Sequence, residues 1–439
     1  MPRRRIDKEK LREQENYVRR EVFVSVFSLK LKNYLAWMSF FGSFFGQAKN
    51  EYRNNITKEV QKQLELRLTR FPLSWEVNME KRKLRINGHS HLLPYPEEIP
   101  QFMQEKEIFW VDKDRKFMLQ KDWNRPITDS SFFLDEKLAW MERFKIDHAV
   151  VLNLSQLYGN GLRVEEMKQA LKFQNDFNAK VQRENPSKFT CGFVVHPGFV
   201  RGACWEIERC VEELGMQLLC LPTHYMDTIG TWRCIFDEEN EPIFEMANKY
   251  NLAVEIHPYD GEKFIKLENT SWRFHLIWML AQCADAYHFL TLNGYQDKYP
   301  NMRTCFAHGG QLAQINLGRR IQGFDGRPDL FEGKSHPRKA VGHKNIFFDT
   351  LVHDTGGLDL LLKNQGSKQV LMGLDDPYPL GEMESEKQSS YPGKILDLAI
   401  ERKIITETER DAIWEDNVIQ WLCGDDQAAK DKLVKRILG

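Results

Sequence analysis

From residue 79 onward, short apolar runs alternate with longer stretches in which apolar residues recur every three or four positions. The short runs are 83–87, 147–153, 190–196, 216–221, 252–257, 302–308, 345–350 and 369–375. Most are apolar at successive positions rather than at every second one, the pattern of strands buried on both faces of a parallel sheet. Between them, 133–145 has helical spacing, with Leu134, Leu138, Met141 and Phe144 on one face. The spacing also predicts helices over 165–182, stopped by Asn185-Pro186, and over 204–214, stopped by Gly215. Further helices are predicted over 241–250, 272–290, 311–321 and 358–363. Three more, 394–402, 407–421 and 427–438, follow the last strand and are expected to cover the outside.

About eight βα units suit a closed (β/α)8, TIM-like barrel better than an open doubly wound sheet. No glycine-rich dinucleotide or P-loop pattern follows the first strand, so no nucleotide cradle is expected. Two stretches break the alternation. The first, 94–131, carries Trp110, Trp123 and Asn124-Arg125-Pro126 and reads as a long irregular loop, a feature usually tied to function. The second is 1–78, which opens on Arg3-Arg4-Arg5 and holds an aromatic-rich run over 34–46. Those thirteen residues are too few to span a bilayer. A basic amphipathic anchor and an in-frame extension upstream of a working start at Met79 both fit. The extension is the preferred reading, with 79–439 as the barrel and no membrane contact expected.

Composition changes this picture little. Hydrophobic residues make up 42% and charged residues 28%, as in soluble globular proteins. A net charge of −1 gives no electrostatic case for nucleic acid. The eight cysteines form no C-x-x-C pair and fall mostly in apolar runs, which reads as reduced thiols and a cytoplasmic location.

The chemistry collects where a barrel keeps its active site, at the C-terminal ends of the strands. The first strand runs into His89 and His91. Extended backbone puts both imidazoles on one face, about 7 Å apart along the strand. The fifth strand ends in His257-Pro258, the sixth in His308-Gly309-Gly310 and the eighth in Asp375-Asp376-Pro377. Three histidines and a carboxylate are a set that a catalytic Zn²⁺ takes, with one position open. His308 then stands beside the metal as an acid or base. His196 and His224 also sit at strand ends and are read as rim or supporting residues, whereas His148 begins its strand and falls at the opposite, stability end. His275, His288, His336, His343 and His353 have no such placement and are read as ordinary histidines.

Five motifs carry a resemblance. They are Ile86-Asn87-Gly88-His89-Ser90-His91-Leu92-Leu93-Pro94, Glu255-Ile256-His257-Pro258-Tyr259 and Cys305-Phe306-Ala307-His308-Gly309-Gly310. Phe347-Phe348-Asp349-Thr350 and Gly373-Leu374-Asp375-Asp376-Pro377-Tyr378-Pro379-Leu380-Gly381-Glu382 complete the set. Together, from about Met79 to Gly424, they resemble the decarboxylase branch of the amidohydrolase superfamily, and within it the enzymes acting on 2-amino-3-carboxymuconate-6-semialdehyde. The resemblance implies one Zn²⁺ per chain held by His89, His91, His257 and Asp375, with Mn²⁺ as the alternative. It implies that His308 activates a metal-bound water, and that Arg125 binds a carboxylate of a small dicarboxylate substrate. Arg319 and Arg327 match substrate-site arginines, one reaching in from a neighbouring subunit, which implies a homodimer. The fourth strand ends in Leu221-Pro222-Thr223-His224 without the lysine that binuclear relatives use, consistent with one metal. Two positions depart from the pattern: Asn87 stands where the family usually has an aspartate, and Gln311 follows His308-Gly309-Gly310. A hydrolase of an amide or lactone, a hydroxybenzoate decarboxylase and an inactive metal-binding scaffold remain the alternatives on the same barrel.

Overall fold

The computed structural model describes residues 83–439 apart from 122, 129, 228 and 259–269, so the expected extension over 1–78 lies outside the described residues. The chain divides into two units, Met1–Lys81 and Arg82–Gly439, and every described element belongs to the second. Its eight parallel strands are β1 (Ile86–His91), β2 (His148–Leu152), β3 (Phe189–Cys191 and, past Gly192, Phe193–Val194) and β4 (Leu218–Pro222). β5 (Ala253–His257), β6 (Arg303–Phe306), β7 (Ile346–Asp349) and β8 (Val370–Leu371) follow. Each pairs with the next in chain order. The break in β3 falls at Gly192, where an added Cβ would stand 2.4 Å from Cys220 Sγ, so only glycine fits there.

The ring closes between its last and first strands. Gly88 N donates to Met372 O at 2.7 Å, Asp375 N to His89 O at 2.9 Å and His91 N to Asp376 O at 2.9 Å. These bonds make the sheet the closed TIM-type barrel that the alternation predicts.

The barrel strands are buried on both faces, which is why they read as near-continuous apolar runs. One set of side chains, Val254, Ile256, Phe306 and Phe348 among them, packs outward against the helices. The alternate set, including Ile86, Leu218, Ala253 and Phe347, packs with Val418, Trp421 and Leu433. Those last three belong to Asp416–Cys423 and Gln427–Leu438. The two C-terminal helices therefore plug one end of the barrel instead of covering its outside.

Two other expectations are corrected. Residues 94–131 are not irregular: they hold a short helix, Gln101–Glu105, and an antiparallel three-stranded sheet, Trp110–Val111, Phe117–Gln120 and Trp123–Pro126. Strands of two to four residues are too short to establish a period, yet Phe109, Met118, Phe132 and Phe133 form a core beneath them. β6 and β8 also end earlier than predicted, at Phe306 and Leu371, and beyond them His308 and Asp375 stand at positive φ, 57° and 49°.

Behind the closure lies a buried ion pair. Helix α1 (Leu134–Arg143) presents Lys137, whose Nζ donates to Asp376 Oδ2 and, at 3.2 Å, to Ser90 Oγ; both charged side chains are wholly buried. Removing the ammonium leaves a carboxylate without its cation in a dry interior. Lys137→Met is expected to cost about 3–5 kcal/mol in urea unfolding, and Lys137→Met with Asp376→Leu to recover part of it. An unchanged midpoint in the single variant would remove the pair from the account.

His148, at the opposite end, is satisfied as a neutral ring: Nδ1 donates to Ser187 O at 3.0 Å and Nε2 accepts from Thr190 Oγ1 at 2.8 Å. Burial lowers its pKa from 6.5 to about 3. Below pH 6.5 the unfolded chain takes up a proton that the folded chain refuses. Its contribution is therefore full above pH 6.5 and is lost as the pH falls toward 3, at up to about 1.4 kcal/mol per pH unit. Unfolding free energies measured from pH 7 to pH 4 should fall less steeply in His148→Gln than in the parent.

Candidate metal centre

At the C-terminal end of the barrel, His89, His257, His308 and Asp375 offer ligand atoms that all lie within 4.8 Å of one another. His91 joins them: its Nε2 is 3.1 Å from Asp375 Oδ1 and 3.1 Å from His89 Nε2. Asp375 Oδ1 is 3.4 Å from His89 Nε2, and Oδ2 is 3.7 Å from His308 Nε2. The two β1 imidazoles meet far more closely than simple alternation gives, and the register of β1 on β2 shifts between Asn87 and Ser90.

The protein fixes which nitrogens face inward. Asp349, at the end of β7, accepts from His89 Nδ1 at 2.8 Å, so His89 Nε2 turns a lone pair into the cluster. The same carboxylate accepts from His308 N at 3.0 Å and Gly309 N at 2.7 Å. His257 donates from Nδ1 to Pro258 O at 2.7 Å, leaving its Nε2 buried with no hydrogen-bond partner among the described residues. Asn87 Oδ1 accepts from His89 N at 3.1 Å and Leu374 N at 3.0 Å.

Electrostatics tell the same story. Burial works against protonation of His89, but the Asp375 and Asp349 carboxylates outweigh it and hold its pKa well above the ordinary range. Burial lowers that of His91, and burial with three neighbouring imidazoles lowers that of His257 well below the ordinary range. For Asp375, burial alone would raise the pKa; His89, His308 and His91 nevertheless hold it well below. Ring nitrogens and a carboxylate thus converge on one point. His257 Nε2 without a partner, and two Nε2 atoms at 3.1 Å, are what a divalent cation would satisfy.

A cavity opens over the cluster, bordered by His257, His308 and Asp375. Arg125 borders it too: its Nη2 lies 3.2 Å from His275 Nε2, and its guanidinium sits 5.3 Å above the Tyr378 ring. Arg319 and Arg327 are exposed and do not border this chain's cavity; Arg327 pairs with Asp329 at 2.7 Å. His275 and His353 do border it, contrary to their reading as ordinary histidines. Both stand on loops or helix starts beyond the strand ends, where the strand-end rule does not look. Asp349 also escapes the sequence reading, although that rule applies to it. His196 bonds Asn160 Oδ1 at 3.2 Å and caps the turn at Gly198, and His224 bonds Asp285 at 3.0 Å; neither enters the cluster. Asp376 turns away to Lys137, so Asp375 is the carboxylate that faces the histidines.

Comparison with known proteins agrees with this geometry. The family model described as amidohydrolase matches residues 135–421. A 2-amino-3-carboxymuconate-6-semialdehyde decarboxylase of Dictyostelium discoideum is 28% identical over 353 residues, covering 78% of this chain and 92% of that protein. Among solved structures, 5-carboxyvanillate decarboxylase from Sphingomonas paucimobilis superposes with a TM-score of 0.60 at 17% identity, over 77% of this chain and 98% of its own. A dihydroxybenzoic acid decarboxylase from Polaromonas, solved with bound manganese, gives 0.56 at 15% identity over 77% and 96%. These superpositions show the fold. The matched residues run from α1 through the strand ends that carry His257, His308, Asp349 and Asp375, and the chain belongs to the amidohydrolase family.

Proposed function

We propose that the chain is a metal-dependent, non-oxidative decarboxylase, a carbon–carbon lyase, acting on 2-amino-3-carboxymuconate-6-semialdehyde in tryptophan catabolism by the kynurenine route. The observation that carries this reading is a guanidinium, Arg125, bordering the same cavity as the His/Asp cluster. Similarity along 92% of a relative with that activity supports the substrate. His89, His91, His257 and Asp375 hold the cation, Zn²⁺ by preference for this donor set. The manganese in a structural neighbour makes Mn²⁺ the alternative. When bound, the cation supplies a Lewis-acid charge that acidifies a neighbouring water toward neutral pH.

The chain's own residues do the rest. Arg125 binds one substrate carboxylate through its planar fork, over the face of Tyr378. His308, part-exposed to the cavity, moves the proton at Nε2. The proton adds to the substrate carbon that bears the departing carboxylate. The bond to that carboxylate then breaks, its electron pair returns to the conjugated system, and CO₂ leaves. Asp349 holds the His308 and Gly309 backbone so that the imidazole keeps its place. Arg319 and Arg327, exposed outside their own cavity, are the arginines offered to a second copy in a homodimer. Eight free cysteines, seven of them buried, support a reducing, cytoplasmic setting. Residues 79–439 are the working unit.

The test is incubation of the metal-loaded protein with the semialdehyde, following CO₂ release and loss of the conjugated chromophore with and without chelator. Absence of CO₂ removes the reading, and CO₂ only from hydroxybenzoates reassigns the substrate. His308→Ala should keep the parent's metal at the barrel cluster while turnover falls by about 10²–10⁴-fold. Loss of the metal in that variant would make His308 a ligand instead. Asp349→Ala, which frees the His89 ring, is expected to weaken metal binding by about 10–100-fold in dialysis against graded chelator.

A further inference from the structure

A second group of metal-ligating side chains converges among the described residues, away from the cavity. His224, Cys234 and Asp285 bring one donor atom each to within 4.8 Å of the others. The sequence builds this from a hairpin that follows β4. His224–Met226 pairs antiparallel with Trp232–Cys234, and His224 and Cys234 are direct partners in register. Direct partners share a face of the hairpin, with Cβ atoms about 4.5–5.5 Å apart. Asp285 arrives from helix α2 (Met279–Asn293), its Oδ2 3.0 Å from His224 Nε2.

Three observations separate this group from an incidental neighbourhood. His224 is 8% exposed and Cys234 6%, whereas the Asp285 side chain reaches solvent, so two donors are preset and one side stays open to an incoming ion. His224 turns Nε2 toward Asp285 Oδ2 at 3.0 Å, while Nδ1, on the other side of the ring, is buried with no hydrogen-bond partner among the described residues, so the ring's polar contact lies on the side of the site. The Trp232 ring lies parallel to the His224 ring, 3° apart in plane, which fixes the imidazole's orientation. Charge adds an attraction for a cation: the Asp285 and Asp237 carboxylates both act on the Cys234 thiol, and with burial they hold its proton on until a cation displaces it. The hairpin's guanidinium, Arg233, is engaged by Asp227 at 2.7 Å and Glu239 at 3.4 Å.

We propose that His224, Cys234 and Asp285 form a second, sulfur-containing site for a thiophilic divalent cation of the Zn²⁺ type, clipping the hairpin after β4 to the helix that walls the cavity. That helix contributes Met279 and Leu280 to the cavity lining, so the clip bears on the wall facing the substrate. Metal bonds of about 2.0–2.3 Å set ligand–ligand edges of about 3.3–3.8 Å. The nitrogen–oxygen pair stands at 3.0 Å, and the sulfur lies within 4.8 Å of both. Solvent supplies the fourth position. On binding, the thiol releases its proton to water and the thiolate bonds the cation, with no change of oxidation state.

The donor chemistry makes the test specific. The cavity cluster offers only nitrogen and oxygen, so a sulfur-to-cobalt charge-transfer absorption in the Co²⁺-loaded full chain reports the second site alone. The absorption is expected to grow as a second equivalent of Co²⁺ binds and to vanish in Cys234→Ser. Asp285→Asn, a change at a solvent-facing side chain, should weaken that second equivalent by about tenfold or more and leave the first untouched. If Cys234→Ser does not fold, Asp285→Asn decides the matter by the same titration. Saturation at one equivalent with no sulfur-to-cobalt absorption overturns the proposal, leaving a plain His224–Asp285 hydrogen bond beside a buried thiol. An absorption that persists in Cys234→Ser overturns it as well. None of these readouts depends on the substrate or on turnover.

Discussion

Closure of the barrel between β8 and β1 is the constraint on which the site depends, because it joins residues almost three hundred positions apart into one metal shell. The backbone bonds from Gly88, His91 and Asp375 bring the His89 and His91 pair against Asp375. Polar side chains then lock the seam. Asn87 Oδ1 accepts from the backbone of both strands, and its Nδ2 donates to Asp376 Oδ1 at 2.5 Å. The seam favours an amide at position 87, where the resemblance implies an aspartate: a carboxylate there would stand directly against that of Asp376, with both side chains wholly buried. Asparagine keeps the acceptor that the backbone needs and adds a donor that Asp376 needs. Lys137 cancels the remaining charge, so Asp375 presents its carboxylate to the histidines without competition from its neighbour.

A second carboxylate does comparable work on the far side of the cluster. Asp349 binds one imidazole through its Nδ1 and holds two backbone N–H groups of the β6 turn. That turn runs through three consecutive residues at positive φ, His308 at 57°, Gly309 at 61° and Gly310 at 51°. Such backbone is costly for histidine and survives only where surrounding bonds over-determine it. Glycine is required at 309, where an added Cβ would meet Val352 Cγ1 at 2.3 Å. The result places His308 out of the strand ladder and beside the cavity, where the proposed proton transfer needs it. His89 and His308 therefore answer to a single anion, although they come from opposite sides of the barrel sequence.

How legible all this is in the chain depends on how local the physics is. Strands buried on both faces leave a direct trace, and the eight runs at 83–375 read as a barrel for that reason. The strand-end rule then finds His89, His91, His257, His308 and Asp375, because each stands close to a strand terminus. It passes over Asp349, whose carboxylate follows two phenylalanines at the end of β7 and has no metal-ligand spacing to draw attention to it. His275 and His353 reach the cavity from connecting segments, where position follows from tertiary packing and no period exists to read. The small sheet over 110–126 escapes for a related reason, since its strands are shorter than one alternation cycle can prove. The C-terminal helices are legible as helices, yet their apolar faces do not say that they fit the barrel's end and not its flank.

This division carries into function. The metal cluster is set by strand termini and by carboxylates and carbonyls that fix each ring, so its geometry is tied to the fold itself. Arg125 belongs to another layer: it rides on the small sheet outside the barrel, steadied by Tyr378 from the β8 loop and by His275 from the segment after β5. None of these three residues supplies a backbone bond of the ring closure. A chain on this plan can keep its metal chemistry while the loop-borne groups redefine which carboxylated molecule is presented to it. In the proposed reaction the arginine's setting governs substrate choice and the imidazoles' setting governs reaction type. Because His91 lies 5.0 Å from the Tyr378 ring that also carries Arg125, the two layers meet at one side chain. In the proposed reaction Tyr378 sets the distance between the Arg125 anchor and the His308 side of the cluster, and that spacing selects the carbon that the proton reaches.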